Sequence, residues 1–132
     1  MLCLKAHSKG AMAGFYDLPG GRINKGEYHI AYQDIIAREL TSEIGAGAKY
    51  EIYWRPVSFA RHSYYSKSRN IEVFTFWLCF EAKYLGGNVK ISEEHEGYKW
   101  LDLREVKPKQ YFTKGALEAI ERYLFLVKKS SF

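Results

Sequence analysis

The chain has 132 residues, 47% of them hydrophobic and 27% charged, which fits one soluble globular domain, 1–132, with a real hydrophobic core. No run of about 18 apolar residues is present, so a membrane span is not expected. Lys and Arg outnumber Asp and Glu by 20 to 15, a net charge of +5 to which Lys128 and Lys129 contribute. The excess favours anionic partners such as nucleotides and leaves nucleic acid among them.

In chain order, Met1 to Lys5 is too short and too soon charged for a signal peptide, and Leu2 to Lys5 reads as a strand. Cys3 and Cys79 have no metal-ligand spacing and read as core thiols of a reducing, cytoplasmic compartment. Ser8 to Gly14 reads as a loop. Tyr32 to Ile44 reads as a helix, because Ile36, Leu40 and Ile44 recur at four-residue spacing and Gly45 is placed to end it. Tyr50 to Trp54, Val57 to Tyr65 and Ile71 to Ala82 are β-branched and aromatic, hence strands, the last two joined as an antiparallel hairpin across Ser66 to Asn70. Gly86-Gly87-Asn88 is a turn, and Tyr98 to Leu101 another strand. Thr113 is placed to cap a helix running to about Val127, with Leu117, Ile120, Leu124 and Val127 as its buried stripe and Glu118 paired with Arg122 on the wet side. This order predicts an α+β fold, an α/β/α sandwich with helices covering a mixed sheet.

The chemistry concentrates around the first long helix. Glu39 and Glu43 lie four residues apart and project from one face, with Ser42 beside them. Alone they would be an ordinary solvated face. The compact turn Leu18-Pro19-Gly20-Gly21 before the helix lets backbone groups approach a ligand closely, and Glu27 and Arg38 are placed to tie that loop to the helix by an ion pair. Carboxylates on one face, beside such a loop, suit Mg²⁺, which prefers oxygen ligands and is held by a few acids plus substrate phosphates.

The stretch from Gly20 to Gly45 resembles the signature of the Nudix hydrolases, Gly-x5-Glu-x7-Arg-Glu-U-x-Glu-Glu-x-Gly-U, where U is bulky and apolar. Gly21, Glu27, Arg38-Glu39-Leu40, Glu43 and Gly45 match it. Gly14-Phe15-Tyr16-Asp17-Leu18-Pro19 looks like the family's lead-in, with Tyr16 where Trp is common. Glu93-Glu94-His95-Glu96-Gly97-Tyr98-Lys99-Trp100-Leu101 looks like its closing acidic loop and strand. Three positions depart from the pattern. Ten residues rather than seven separate Glu27 from Arg38, an excess of nearly one helical turn that either extends a helix or lengthens the loop. Ser42 stands where a metal-binding Glu is expected, which should weaken metal affinity. Ala46 replaces the final bulky residue. The family usually has another strand ahead of Leu2 and none is read here, so the sheet is expected either to carry an exposed edge or to have that edge covered by a second copy in a homodimer.

The resemblance implies hydrolysis of a pyrophosphate bond in a nucleoside diphosphate derivative, with Mg²⁺ or Mn²⁺ as cofactor. It implies Glu39, Glu43, the Gly20 carbonyl and Glu94 (or its neighbours Glu93 and Glu96) as metal ligands. Glu39 is alternatively a general base, oriented by Arg38, which pairs with Glu27. Arg22 would meet a phosphate, and Tyr16 and Tyr64 are candidates for substrate contact. The acidic run also reads as a plain solvated turn, and His95 as a solvent-facing or hydrogen-bonded loop residue. Strand alternation puts Ser58, Ala60, His62 and Tyr64 on one face, Phe59, Arg61, Ser63 and Tyr65 on the other. The rival expectation is a Nudix-like module that binds nucleotide or RNA without cleaving it.

Overall fold

The computed structural model describes residues 1–130, with side chains to Val127; the side chains of Lys128 and Lys129 lie outside the described residues. Among the described residues, five strands and two α-helices follow one another: β1 (Leu2–Ala6), β2 (Tyr16–Asp17), α1 (Tyr32–Ile44), β3 (Lys49–Ser66), β4 (Ile71–Gly86), β5 (His95–Trp100) and α2 (Lys114–Ser130). The strands form two antiparallel sheets, β2-β1-β5 and the long hairpin β3-β4.

β1 shows why the helices lie on opposite sides. Cys3 and Leu4 are adjacent and fully buried, so the two-residue period of a strand sends them to opposite faces. Cys3 joins Leu101, Phe112, Ala116 and Ile120 in a core that includes residues of α2. Leu4 joins Leu40, Ile44 and Ala48 in a second core that includes residues of α1. Burial holds the Cys3 thiol up at about 11, an inert core thiol as expected. The α+β sandwich is therefore built on one strand with a core on each face.

The helices follow their sequence stripes with small adjustments. In α1, Ile35 joins Leu40 and Ile44 in the interior, and Ile36 is half-buried beside them. Gly45 closes the helix at φ 86°, a left-handed conformation that favours glycine, and its N–H bonds the Thr41 carbonyl. In α2, Ile120 is buried and Leu117 and Leu124 are half-buried, while Val127 is 43% exposed and the helix continues to Ser130. The Glu118–Arg122 pair forms, but Arg122 does not stand out in water. Its guanidinium lies 4.2 Å over the Phe59 ring and donates to the Phe59 carbonyl, fastening α2 to β3. Two further bonds make the same join. Ser58 Oγ donates to the Ala119 carbonyl at 2.7 Å, and the Gly115 amide donates to His62 Nδ1 at 3.2 Å.

β3 is one strand rather than two. Pro56 has no N–H to give the ladder, and register shifts flank it from Tyr53 to Ser58, so the sequence break becomes a bulge inside a continuous strand. Beyond the bulge the alternation runs as expected, with Ser58 and Ala60 buried, His62 and Tyr64 half-buried, and Phe59, Arg61 and Tyr65 exposed. The three extra residues after Glu27 lengthen the loop. A 3₁₀ turn at Lys25–Glu27 runs into turn residues 28–30, and α1 begins only at Tyr32.

Candidate active site

The loop after β2, one face of α1 and the segment entering β5 meet at a cleft of about 340 Å³ lined by the acids Glu39, Glu43 and Glu94, the Gly20–Gly21 turn and Ser42, together with Arg22, Asn24 and Arg38. The lengthened loop does not prevent the Glu27–Arg38 contact. Arg38 Nε donates to Glu27 Oε2 at 3.0 Å and Nη2 to Oε1 at 2.8 Å, a two-point grip that fixes direction as well as distance. Glu27 also accepts the Asn24 amide at 3.0 Å. Desolvation works against its charge, but the hydrogen bonds from Asn24 and Arg38 overcome it and hold the carboxyl below its ordinary range. The third arm of Arg38, Nη1, meets Glu39 Oε1 at 2.8 Å. Arg38 therefore spans from the loop to the helix and holds one oxygen of Glu39.

The other oxygen of Glu39 lies against the glycine turn. A Cβ at Gly21 would overlap Glu39 Oε2, so only glycine lets the loop pass this close. Gly21→Ala should push the carboxylate off its place beside Arg38, an overpacking on the order of 1–3 kcal/mol. A melting midpoint lowered by about 3–10 °C, beside an unchanged circular-dichroism spectrum, checks this.

Glu43 is the most perturbed acid of the cleft. It accepts the Gly20 amide on Oε2 at 2.7 Å. Burial pushes its pKa up to about 7. The Gly20 bond opposes the rise, and the neighbouring charges of Asp17, Glu94 and Glu39 add to it. A carboxyl surrounded by three others and partly buried is a group short of a positive partner.

Donor atoms of Glu43, Glu94 and His95 lie within 4.8 Å of one another. His95 Nδ1 is buried without a hydrogen-bond partner, the one such side-chain atom among the described residues. An unsatisfied buried nitrogen costs on the order of 1–3 kcal/mol, which a bound cation would offset. Two carboxylates and an imidazole with donor atoms within 4.8 Å of one another, on a histidine that also carries a buried nitrogen without a partner, fit a divalent metal.

Most of the residues expected from sequence come together here. Glu39, Glu43, Glu94, Gly20, Arg38 and Arg22 line the cleft, and Glu27 anchors it from behind Arg38. Glu39 shares the wall but lies outside the close trio. Glu93 is in a turn, and Glu96 turns away to pair with His7 and the Ser8 amide. Tyr16 does not line this cleft. Its amide is bound to the Tyr111 carbonyl and its ring packs edge-on to Tyr111 at 5.9 Å, in the core under α2. His95 is the correction in the other direction, a residue read as a plain loop histidine that the fold turns toward the acids. Asp17 was also missed as a site residue, although it stands inside the lead-in motif. Its charge reaches both Glu43 and His62.

Fold and cleft together define an α/β/α sandwich in which a glycine loop and one helix face assemble a carboxylate site. The NUDIX domain profile matches residues 1–123, and the chain belongs to that family. Nucleoside triphosphatase NudI of Escherichia coli O139:H28 (strain E24377A / ETEC) is 29% identical over 103 residues, covering 76% of this chain and 71% of its own. The protein of the same name from Shigella flexneri serotype 5b (strain 8401) matches with the same figures. Among solved structures, the MutT protein from Methanosarcina mazei Go1 superposes with a TM-score of 0.67 at 22% identity, over 99% of this chain and 85% of that one, a likeness of fold. No helix of the described residues is long and apolar enough to cross a membrane.

Proposed function

We propose that the chain hydrolyses a pyrophosphate bond in a nucleoside triphosphate or a nucleoside diphosphate derivative, with Mg²⁺ or Mn²⁺. The observation that carries this reading is the convergence of Glu39, Glu43 and Glu94 with the Gly20–Gly21 turn on one cleft. Glu43, Glu94 and His95 would hold the ion. When bound, it supplies charge neutralisation for the phosphates and a lowered pKa for an attached water. Arg38 holds one oxygen of Glu39 and the glycine turn lies against the other, which fixes the carboxylate in the cleft wall, where Glu39 takes the proton of the attacking water as general base. Water's oxygen bonds to phosphorus as the bridging P–O bond breaks, and the leaving phosphate departs with that electron pair. Arg22, in the cleft lining, meets phosphate oxygens. The names of the NudI relatives support a nucleoside triphosphate as first substrate to try.

Phosphate or pyrophosphate release from a panel of nucleoside triphosphates, nucleotide sugars and dinucleoside polyphosphates, with each metal, tests the reading. A nitrogen ligand sits better with Mn²⁺ than with Mg²⁺, so His95→Ala should weaken Mn²⁺ binding about tenfold and Mg²⁺ binding less. Calorimetry and the Mn²⁺ electron-spin signal measure that without turnover.

Ser42 favours a second reading. It lines the cleft where the resemblance calls for a carboxylate. If no substrate releases phosphate while nucleotides bind tightly, the chain is a binding module, and Ser42→Glu is the substitution to restore cleavage.

A further inference from the structure

A second cavity, of about 560 Å³, opens beside the carboxylate cleft and shares Arg22 and Asn24 with it. Its other walls include Lys25 from the loop, and Tyr64 and Arg69 from the hairpin. The two cavities have opposite character. The first holds three carboxylates, whereas no Asp or Glu lines the second, which carries the cations Arg22, Lys25 and Arg69.

The geometry follows from the length of the hairpin. β3 and β4 stay paired to Ser66 and Ile71, so the tip that carries Arg69 reaches the loop that carries Arg22 and Lys25. Arg22 is held in place there, donating from Nη1 to Tyr64 Oη at 2.9 Å. It thus stands on the boundary between a site suited to a cation and a site suited to an anion.

We propose that this basic cavity receives the phosphates beyond the cleaved bond, so that the substrate class is a nucleotide with three or more phosphates in a row rather than a nucleotide sugar. The inference rests on reading the acidic cleft as the place where the pyrophosphate is cut. A chain of phosphates entering from the Arg22 boundary meets metal and carboxylates at one end and three cations at the other, Arg22 among them held by Tyr64. A neutral sugar in the same place would leave those cations with water alone. The acidic cleft repels phosphate until a metal is bound, but the basic cavity has no such requirement. It therefore binds a polyphosphate in the absence of metal.

That difference supplies the test. Inorganic tripolyphosphate is titrated calorimetrically into the whole protein in EDTA, at low and moderate salt. Wild type should bind it, more weakly as salt rises, and the double variant Lys25→Ala/Arg69→Ala should bind about tenfold more weakly. Lys25→Arg/Arg69→Lys, which keeps both charges, should restore most of the affinity. With metal, the kcat/KM ratio of a nucleoside triphosphate to a nucleotide sugar of the same base should fall about tenfold in the double alanine variant, chiefly through KM. Equal tripolyphosphate affinity in wild type and double variant overturns the inference, as does tighter binding of a short 5′-hydroxyl RNA than of tripolyphosphate. If no nucleotide is cleaved but the metal-free binding and its loss are seen, the hydrolase reading fails and the anion site stands.

Discussion

Glu39→Gln is expected to lower kcat about a thousandfold, within the range for loss of a positioned general base, while nucleotide affinity changes by no more than a few-fold. Gln has the shape of Glu and keeps an oxygen to accept from Arg38 Nη1, so the bridge from Glu27 through Arg38 to the helix survives. What disappears is the ability to take a proton. Glu39 also lies outside the close trio of Glu43, Glu94 and His95, so its replacement should shift the metal midpoint less than tenfold. The paired measurement separates the two roles that the sequence leaves open. A large loss of kcat with little change in metal affinity identifies a base. A large loss of metal affinity, with activity recovered at high metal, identifies a ligand. Activity within tenfold of wild type under the same conditions would remove Glu39 from the chemistry altogether.

The parts of this site that sequence made legible are those that short-range periodicity can carry. Glu39 and Glu43 share a helix face because a four-residue spacing returns to the same side, and the same arithmetic buries Leu40 and Ile44 behind them. The pairing of Glu27 with Arg38 was legible from residue type and order, not from spacing. Ten intervening residues are accommodated because the loop bulges through 28–30 before the helix begins. Composition alone divides β3 into Tyr50 to Trp54 and Val57 to Tyr65, because Arg55 and Pro56 between them are neither β-branched nor aromatic, and only the partner strand's length shows that the ladder resumes.

What stayed hidden depends on contacts between distant segments. His95 pairs with Ala6, beside an irregularity in the β1–β5 register, so simple alternation along the strand does not give the direction of its ring. Nothing local distinguishes it from a solvated histidine in an acidic turn. Tyr16 lies the other way, half-buried and away from the cleft. The lead-in motif placed it near the site, but a two-residue strand bound to Tyr111 sends it to the core. The basic cavity needs Lys25 and Arg69 together, 44 positions apart along the chain, and only the length of a bulged hairpin brings them there.

Glu43→Gln should stabilise the metal-free protein at alkaline pH and do little at acidic pH. Folding raises the Glu43 carboxyl from its ordinary 4.5 to about 7, with burial the main cause and the charges of Asp17, Glu94 and Glu39 behind it. A group whose pKa rises on folding binds its proton more tightly in the native state. Its contribution is intact below about pH 4.5 and is lost as the pH climbs through 7. At pH 8.5 the native cleft then carries an ionised carboxylate that its surroundings disfavour, a penalty on the order of 1–3 kcal/mol once partial solvent access is allowed for. Gln keeps an oxygen for the Gly20 amide and carries no charge, so in EDTA at pH 8.5 the variant should melt about 3–10 °C above wild type. At about pH 4, below the carboxyl's ordinary value, Glu43 is mostly protonated in folded and unfolded chains alike, and the two should melt together. His62 titrates in the other direction, because burial holds its imidazole below the ordinary value and acid costs stability. It is present in both proteins and cancels in their difference. Added Mg²⁺ or Mn²⁺ should reverse the order at pH 8.5, since only wild type has the full ligand set through which metal binding stabilises the fold. The same carboxylate is thus a liability without metal and an anchor with it, and a variant that melts no higher than wild type in EDTA at pH 8.5 would show that Glu43 is not the strained acid its surroundings imply.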